Sequence, residues 1–459
     1  MKKVLATILA LVMAIGLCSV SWATGSTLPT AENGVIKLTG NATTTALQND
    51  ITYDLNGHTL TYSGPTHVVA EGKTLTFMDS SVTGNARGGT LELSGVTGTK
   101  AAINPQKGAT LKVSNIKVTC TGSAFFPKGD AAKVDVTACD VTASVYCVGT
   151  NAGNTNNYNV VITLKNSTFV SNTADGDNCA VMINVPGTLN IDNCTITGDR
   201  QAVLVRAGTA VITNSDIKTT GKFTDAATKY HSGAWSSGNE VPAAALTVGN
   251  YQNGQASAYL AEAKVTVTNT KLTAENSVPA IYTDANDTYK GDLTIGGDST
   301  VVTGEVMKGQ KADKAAVAVT GGTFSSDVSA YAPEETPVAI VGSEGYAVGS
   351  SAISAAANGG KDVTVVKAGP VTGVDAGKSI AVADGVTGVT VNGVTVTGDS
   401  YTVPQPPRYY YNSTTTTTDT KTTDTKGSPK TFDAGIALYV GMALTSAAGV
   451  AFVGKKRED

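Results

Sequence analysis

Aromatic side chains and charges are both scarce in this chain. Of its 459 residues, 6% are aromatic and 15% are charged, and Leu, Glu and Lys do not recur with the 3.6-residue spacing that is typical of helical proteins. The formal net charge is −4 and only five arginines occur, so no basic face is available to neutralise a phosphate backbone. These shortages argue against a compact helical globule and against nucleic acid as a partner. Thr, Val, Asn, Gly and Ala dominate instead, which predicts an all-β protein.

Closely spaced cysteine pairs are also missing. One of the six cysteines lies in the apolar N-terminal stretch, and the other five are scattered. An odd number of cysteines cannot all pair within one chain, and no Cys-x-x-Cys spacing indicates a zinc or redox site. We expect these five to be small buried core residues, with one or two disulfides between neighbouring repeats as the alternative. They are Cys120, Cys139, Cys147, Cys179 and Cys194.

An eight-residue phrase recurs along the chain. Its first, third and eighth positions are apolar, and its fifth is usually Asn, Gly or Asp. The ten copies cover residues 53–60, 75–82, 111–118, 134–141, 162–169, 189–196, 210–217, 265–272, 293–300 and 317–324. Their fifth positions are Gly57, Asp79, Asn115, Ala138, Asn166, Asn193, Asn214, Asn269, Gly297 and Gly321. Most steps between copies are 21 to 28 residues long, and a period of this size is typical of a solenoid.

The chemistry of the phrase predicts a strand followed by a bend. Alternating apolar positions turn one strand face inward, whereas Asn and Gly accept left-handed backbone angles, and an Asn amide can bond to its equivalent one coil away. A second apolar strand follows many copies, at residues 124–126, 145–148, 180–183, 202–205, 245–248 and 280–282. Stacking such coils about 4.8 Å apart gives a parallel β-helix, which the general crossover rule predicts to be right-handed.

Two segments resemble those of a known family. Asp54-Leu55-Asn56-Gly57-His58-Thr59-Leu60 is similar to the opening coil of bacterial surface proteins with the pectate-lyase-like right-handed β-helix, and residues 321–328 are similar to their closing segment. The resemblance covers about residues 30–350. It implies the fold, and it carries little information about activity.

Both ends of the chain carry targeting signals. Lys2-Lys3, an apolar stretch and Ser21-Trp22-Ala23 predict a signal peptide, residues 1–23, that is cleaved after Ala23. At the other end, residues 434–453 are apolar and precede a basic tail, which predicts a transmembrane segment with its tail on the cytoplasmic side. The preceding pentapeptide resembles the sorting signal of Gram-positive surface proteins, although the commonest form is Leu-Pro-x-Thr-Gly. It consists of Ser428, Pro429, Lys430, Thr431 and Phe432.

The sorting resemblance implies export and attachment to the cell wall. A sortase-type transpeptidase would cut after Thr431 and join the protein to peptidoglycan; the alternative is a plain C-terminal membrane anchor. The predicted order is signal peptide (1–23), parallel β-helix (24–350), small C-terminal β module or stalk (351–403), Pro/Thr-rich linker (404–427) and sorting signal with transmembrane anchor (428–459).

The longest break in the repeat contains a group of aromatic residues. The step from Asn214 to Asn269 is 55 residues long, and it holds the only tryptophan outside the signal peptide. Aromatic rings in an insertion predict a platform for sugars, and the alternative is an ordinary coil with a long loop packed on the solenoid. The predicted binding residues are Tyr230, His231, Trp235, Tyr251 and Tyr259.

Candidates for catalysis and metal binding are weaker. Related β-helix polysaccharide lyases and hydrolases use carboxylates, a basic residue and often calcium, and Asp199, Arg200 and Arg206 are the candidates for such a groove. Solvated turn residues are the alternative. An acidic loop could hold calcium through oxygen ligands, although it lacks the pattern of a known calcium loop. Its residues are Asp284, Asn286, Asp287 and Asp292.

These observations favour a cell-surface protein that binds glycan, mucin or host matrix without catalysis and without a required cofactor. An anchored polysaccharide lyase or glycoside hydrolase and a passive structural coat component are the two alternatives.

Overall fold

A computed structural model describes residues 28–150, 159–172, 179–222, 242–249, 261–285, 289–309 and 315–407. By its internal contacts the chain divides into two units, Met1–Pro406 and Pro407–Asp459. Apart from Pro407, all described residues belong to the first unit. The predicted signal peptide with its cleavage site, the sorting pentapeptide and the apolar segment 434–453 lie outside the described residues. Within the described part, no helix is both long enough and apolar enough to span a bilayer.

The described residues form an almost entirely β structure. The strands of the repeat region, in chain order, are β1 (Val35–Lys37), β2 (Ala42–Thr44), β3 (Ile51–Asp54), β4 (Thr59–Tyr62), β5 (His67–Val69), β6 (Thr74–Met78), β7 (Thr90–Leu93), β8 (Ala101–Pro105), β9 (Thr110–Ser114), β10 (Lys117–Cys120), β11 (Ser123–Phe125), β12 (Lys133–Thr137), β13 (Asp140–Ala143), β14 (Val160–Lys165), β15 (Thr168–Ser171), β16 (Cys179–Ile183), β17 (Gly187–Asp192), β18 (Thr195–Gly198), β19 (Gln201–Val205), β20 (Gly208–Thr213), β21 (Asp216–Thr219), β22 (Ala244–Val248), β23 (Ala263–Thr268), β24 (Lys271–Ala274), β25 (Ile281–Thr283), β26 (Gly291–Gly296), β27 (Val301–Thr303), β28 (Val306–Lys308), β29 (Val317–Val319) and β30 (Gly322–Phe324).

These strands stack into three parallel sheets. Sheet I has the order β1-β3-β6-β9-β12-β14-β17-β20-β23-β26-β29, and sheet II begins β2-β4-β7-β10-β13-β15-β18-β21-β24-β27-β30. Sheet III contains β5-β8-β11 and β16-β19-β22-β25-β28, and isolated bridges from Val148 to Phe125 and Val181 link its two parts. Most coils therefore contribute one strand to each sheet in turn, which is the arrangement of a parallel β-solenoid. In most copies the repeated phrase supplies strands of sheets I and II. Five of the six predicted second strands lie in sheet III, whereas the predicted strand at residues 145–148 contributes only the isolated bridges of Val148.

The corner between sheets I and II is a left-handed turn. Asn115, Ala138, Asn166, Asn193, Asn214, Asn269 and Gly297 have φ between 50° and 89° at equivalent places, as the repeat predicts. Asn193 Nδ2 donates to Asn166 Oδ1 at 2.8 Å, whereas Asn214 Nδ2 donates to Asp192 Oδ1 at 2.9 Å. The expected hydrogen bond between stacked Asn amides therefore occurs between Asn193 and Asn166. At the next coil, the amide of Asn214 bonds to the carboxylate of Asp192 instead.

The residue that follows most of these left-handed turn residues directs its side chain into the core, where a hydroxyl forms a hydrogen bond with the neighbouring coil. Ser167 Oγ accepts from Cys139 N at 3.0 Å, and Ser215 Oγ accepts from Cys194 N at 3.1 Å. The N–H groups of Ile116 and Ser167 bond in turn to Cys139 and Cys194. Burial raises the pKa of both thiols to about 11. All five described cysteines are buried and none forms a disulfide, so they serve as small core residues.

Two positions of the phrase depart from the predicted turn. Gly322, rather than Gly321, has the positive φ in the last copy. Asp79 is 2% exposed and accepts hydrogen bonds from the backbone N–H groups of Gly57, Ser81 and Gly89 and from the Ser81 hydroxyl. A Cβ at Gly89 would lie 3.0 Å from the Asp79 carboxylate and 2.1 Å from a backbone oxygen. Asp79 thus holds an early coil together as a buried acceptor instead of bending the chain.

A second core follows the last coil of the solenoid. Its strands are β31 (Val338–Val341), β32 (Gly345–Val348), β33 (Val363–Lys367), β34 (Pro370–Val371), β35 (Ser379–Val382), β36 (Thr390–Val391), β37 (Val394–Thr395) and β38 (Ser400–Thr402). Sheet II continues through β30-β32-β31-β33-β35-β38, and the pairing becomes antiparallel at β32. A 3-10 turn, Ser329–Tyr331, precedes β31, and a helix, α1 (Ser350–Asn358), follows β32. The helix was not expected from the Val/Thr alternation of this region.

Replacing Asp79 with Asn should destabilise the solenoid by about 3 kcal/mol, because an amide NH2 would face donors that now share a buried carboxylate. Burial alone would raise the pKa of Asp79, but the bonds from Ser81, Gly89 and Gly57 outweigh it and lower this pKa below 3.8. A lowered native pKa adds stability above the unfolded value, and this gain is lost as the pH falls through the native pKa. The stability gap between wild type and Asp79→Asn, measured by denaturant unfolding, should be constant near neutral pH and shrink below about pH 4. Asp135→Asn is the control, and an equal effect there would contradict the assignment.

Cys194 offers a test of the interior ladder. Ser and Ala are similar in size, but only Ser can keep the bonds to Asp192 O, at 3.4 Å in the native thiol, and to the Ser167 N–H. Cys194→Ala should therefore be less stable than Cys194→Ser by about 1–3 kcal/mol, the cost of leaving a buried donor unpaired. Urea unfolding of the two variants measures this difference, and equal midpoints would show that the ladder adds nothing beyond packing.

Candidate functional site

The outer face of sheet III is covered along most of the described part of the chain, with Val68 of β5, 48% exposed, as an exception. Its strands β8, β16, β19 and β22 are buried at every position, and its outward side chains include Met182, Leu204 and Tyr282, each at most 2% exposed. The internal stretches outside the described residues all adjoin segments of this sheet in sequence.

The predicted aromatic platform belongs to these stretches. Tyr230, His231 and Trp235 precede β22 in sequence and Tyr251 and Tyr259 follow it, but all five lie outside the described residues. β20 pairs directly with β23 across the long interval, so this interval contains one coil with two insertions. The aromatic platform remains a prediction.

The three candidate catalytic residues are not brought together. Asp199 and Arg200 lie in the turn before β19, and the Asp199 carboxylate accepts from Thr220 Oγ1 at 3.3 Å. Arg206 lies beyond the other end of β19 and is 1% exposed. Five strand residues span roughly 17 Å, so Arg206 lies at the opposite end of β19 from Asp199 and Arg200, and a common groove for these three side chains remains a prediction.

The predicted calcium loop is only partly described. Asp284 is fully buried, with Oδ1 accepting from Ala285 N at 2.9 Å, and Asp292 Oδ1 accepts from Ala316 N at 3.3 Å. Asn286 and Asp287 lie outside the described residues. Among the residues that the structure describes, no group of three or more His, Cys, Asp or Glu side chains could hold a metal ion. Calcium binding remains a prediction.

The outer face of sheet II, by contrast, is open and repetitive. Strand alternation puts every second residue on this face, and the in-register pairing of successive coils lines these residues up in two rows. One row is Thr59, Thr90, Lys117, Asp140, Thr168, Thr195, Asp216, Lys271, Val301 and Thr323. The other is Thr43, Thr61, Glu92, Thr119, Thr142, Val170, Thr197, Lys218, Thr273 and Thr303. Threonine is the commonest residue of both rows.

Most charges within these rows have a partner of opposite sign or a hydroxyl. Lys271 lies 3.5 Å from Asp216, and Arg87 lies 3.0 Å from Asp140. Lys218 pairs with Glu275, and Thr61 Oγ1 donates to Glu92 Oε2 at 2.7 Å. Such exposed pairs contribute little to stability, but they leave the face nearly neutral and rich in hydroxyl groups.

A cleft of about 420 Å³ lies where this face meets the second core, which is formed by β31 to β38 and α1. Its solenoid side carries Val301, Thr303, Thr323 and Ser325, and the opposite wall is the small-residue side of α1. The ion pair between Lys361 and Glu344 is part of its lining. The helix α1 packs on β31, β32 and β33, which extend sheet II beyond the last coil, and it does not cover the two threonine rows. The cleft lies at the boundary between the covered and the uncovered part of the sheet.

Gly345 allows the hairpin of β31 and β32 to approach the solenoid side of the cleft, which is its floor. Its φ is 131°, and a Cβ at this position would lie 2.1 Å from the carbonyl oxygen of Phe324. β32 begins at Gly345 and pairs antiparallel with β30, with Tyr346 opposite Phe324. The absence of a side chain at residue 345 is therefore required for the close contact on which the cleft is built.

Comparison with known protein families, with curated proteins and with solved structures finds no match for this chain. The open hydroxyl-rich face and the adjoining cleft are therefore assigned as the candidate site from their own geometry.

Proposed function

We propose that this protein is displayed on the cell surface, wound as a right-handed β-helix, and binds an extended neutral polysaccharide without catalysis. The observation that carries this proposal is the pair of in-register threonine rows on the outer face of sheet II. Successive coils repeat about every 4.8 Å, so the rows present hydroxyl groups at regular intervals. A polymer with regularly spaced hydroxyl groups is complementary to such a surface.

The chemistry of the rows selects the class of polymer. A threonine hydroxyl both donates and accepts a hydrogen bond, which suits sugar hydroxyls, and the paired charges at Asp216 and Lys271 supply no strong field for a polyanion or a polycation. The outer face of sheet I also carries threonines, such as Thr163, Thr188 and Thr266, but they make up a smaller share of its in-register rows than on sheet II. Sheet II is therefore the favoured binding face.

The enzymatic alternative finds less support. A lyase or hydrolase groove built from Asp199, Arg200 and Arg206 requires these side chains to converge, and β19 separates Arg206 from the other two. A passive coat component would have no need of a selective face. Polysaccharide binding without turnover thus fits the described residues best, and mucin or matrix glycans are sources of such polymers.

The location follows from the two ends of the chain. We infer cleavage of the signal peptide after Ala23 and joining of the Thr431 carbonyl to peptidoglycan by a sortase-type transpeptidase. The order of pentapeptide, apolar segment and basic tail supports this proposal.

Thr431→Ala should move the protein from the cell-wall fraction to the membrane fraction or the medium, because the transpeptidase would lose its cleavage residue. Fractionation followed by immunoblotting measures the change, and Thr423→Ala in the preceding Thr-rich segment is the control. Unchanged wall attachment of Thr431→Ala would leave only the plain membrane anchor.

The binding face is tested with isosteric variants. Replacing Thr119, Thr142 and Thr197 together with Val removes three hydroxyls and keeps the side-chain volume. Each lost hydrogen bond is worth about 0.5–1.5 kcal/mol, so affinity for a bound neutral polysaccharide should fall at least about tenfold. Dissociation constants from isothermal titration over a panel of neutral polysaccharides measure this.

The matched control replaces Thr163 and Thr266, on the outer face of sheet I, with Val. This variant should bind as the wild type does. Equal losses in both variants would contradict the assignment of sheet II, and shortened products in mass spectra of the mixtures would establish the enzymatic alternative.

A further inference from the structure

The cleft at the end of sheet II combines a methyl-lined wall with a charged and hydroxyl-rich rim. The wall is supplied by Ala355 and Ala356 of α1, and Val301 faces it from β27 with 38% of its surface exposed. Ligand pockets are lined mainly by apolar side chains, with a few polar groups that fix the orientation of the ligand. The volume of about 420 Å³ lies within the range of small-molecule sites.

The polar groups of the cleft offer both kinds of hydrogen-bonding partner. Asp298 and Glu344 carry carboxylates that accept, and Lys361 carries an ammonium group with three N–H donors. The Lys361 to Glu344 ion pair engages one of these donors and holds the group at the rim. Thr303 and Thr323 add hydroxyls from the floor.

We propose that this cleft is a subsite for the acetamido group of an N-acetylhexosamine. The acetyl methyl would pack against the alanine wall and Val301, the amide N–H would donate to a carboxylate, and the acetyl oxygen would accept from Lys361. A sugar with a plain hydroxyl at the same carbon lacks the methyl and the amide, so it would leave the apolar wall uncovered. This inference rests on the proposed glycan binding and names the kind of sugar at one end of the face.

The charges that line the cleft disfavour an anionic ligand. Two carboxylates and one ammonium group give the cleft a net negative charge, and an anionic ligand would face Asp298 and Glu344 together. A neutral ligand with one amide meets no such repulsion. Because the cleft continues directly from the two threonine rows, a chain held along the face would place one of its sugars in the cleft.

The test compares two neutral tetrasaccharides, the β-1,4 tetramers of N-acetylglucosamine and of glucose. The full-length chain is used in a non-glycosidic detergent, and isothermal titration measures each dissociation constant. We expect the acetylated tetramer to bind at least about tenfold more tightly, since several methyl contacts and an amide hydrogen bond are added. Equal dissociation constants, or no binding of the acetylated tetramer, would overturn the inference.

Two helix variants show whether the preference arises in the cleft. Ala355→Leu fills the cleft from an exposed helix position and should reduce the affinity ratio to about one. Ser351→Leu makes the same change to an exposed residue of α1 outside the cleft lining and should leave the ratio unchanged. A ratio that survives in Ala355→Leu would place the preference elsewhere and overturn the inference.

The outcome is separable from that of the proposed function. The variant with Thr119, Thr142 and Thr197 replaced by Val should weaken long polymers and leave the tetramer ratio intact, because those residues lie several coils from the cleft. Loss of long-polymer binding in this variant, with a normal tetramer ratio, supports both assignments. If the wild type binds long polymers but has a tetramer ratio of one, the result supports polysaccharide binding by sheet II and contradicts the subsite in the cleft.

A tetramer of N-acetylgalactosamine, tested beside the glucosamine form, distinguishes a mucin-type sugar from a wall-type or chitin-type sugar.

Discussion

The stacking of one coil on the next at the corner between sheets I and II is the constraint on which the structure depends. At this corner the backbone takes a left-handed turn, and the residue after it donates to its own coil and accepts from its neighbour. Ser167 and Ser215 perform this role with hydroxyls, and Cys139 and Cys194 perform it with thiols. Because each of these groups is buried, a coil out of register would leave several backbone N–H groups without acceptors. The ladder therefore fixes the register of both sheets at once.

Register explains how far the fold could be predicted from the sequence. The phrase that supplies β14 and β15 has its left-handed residue at Asn166, as expected, because only Asn and Gly take this turn at low cost. Ala138 occupies the same turn, and there the Arg87 side chain reaches Cys139 O and Asn166 O across neighbouring coils. The prediction of a turn at Asp79 is wrong, because its hydrogen-bond partners Gly57 and Gly89 belong to separate parts of the chain. A pattern within eight residues cannot reveal such a contact.

The candidate site could be predicted less well than the fold. Thr59-Leu60-Thr61 and Thr195-Ile196-Thr197 show the alternation that makes the open rows, but such an alternation by itself predicts only a strand. The cleft had no local signal. It requires the return of β32 against β30 and the placement of α1 above Val301, which depend on contacts between segments more than 20 residues apart. The predicted binding residues of the long insertions lie outside the described residues.

The antiparallel return at β32 has a consequence for how copies of the protein coexist. A parallel stack that simply stopped at β30 would expose a row of unsatisfied backbone groups, and such an edge can recruit strands from other molecules. Here the direction of pairing is reversed, and the sheet ends in β38, a strand of three residues that is soon followed by Pro404 and Pro406. Proline has no N–H to offer an incoming strand. End-to-end pairing of molecules through sheet II is thus disfavoured at this edge.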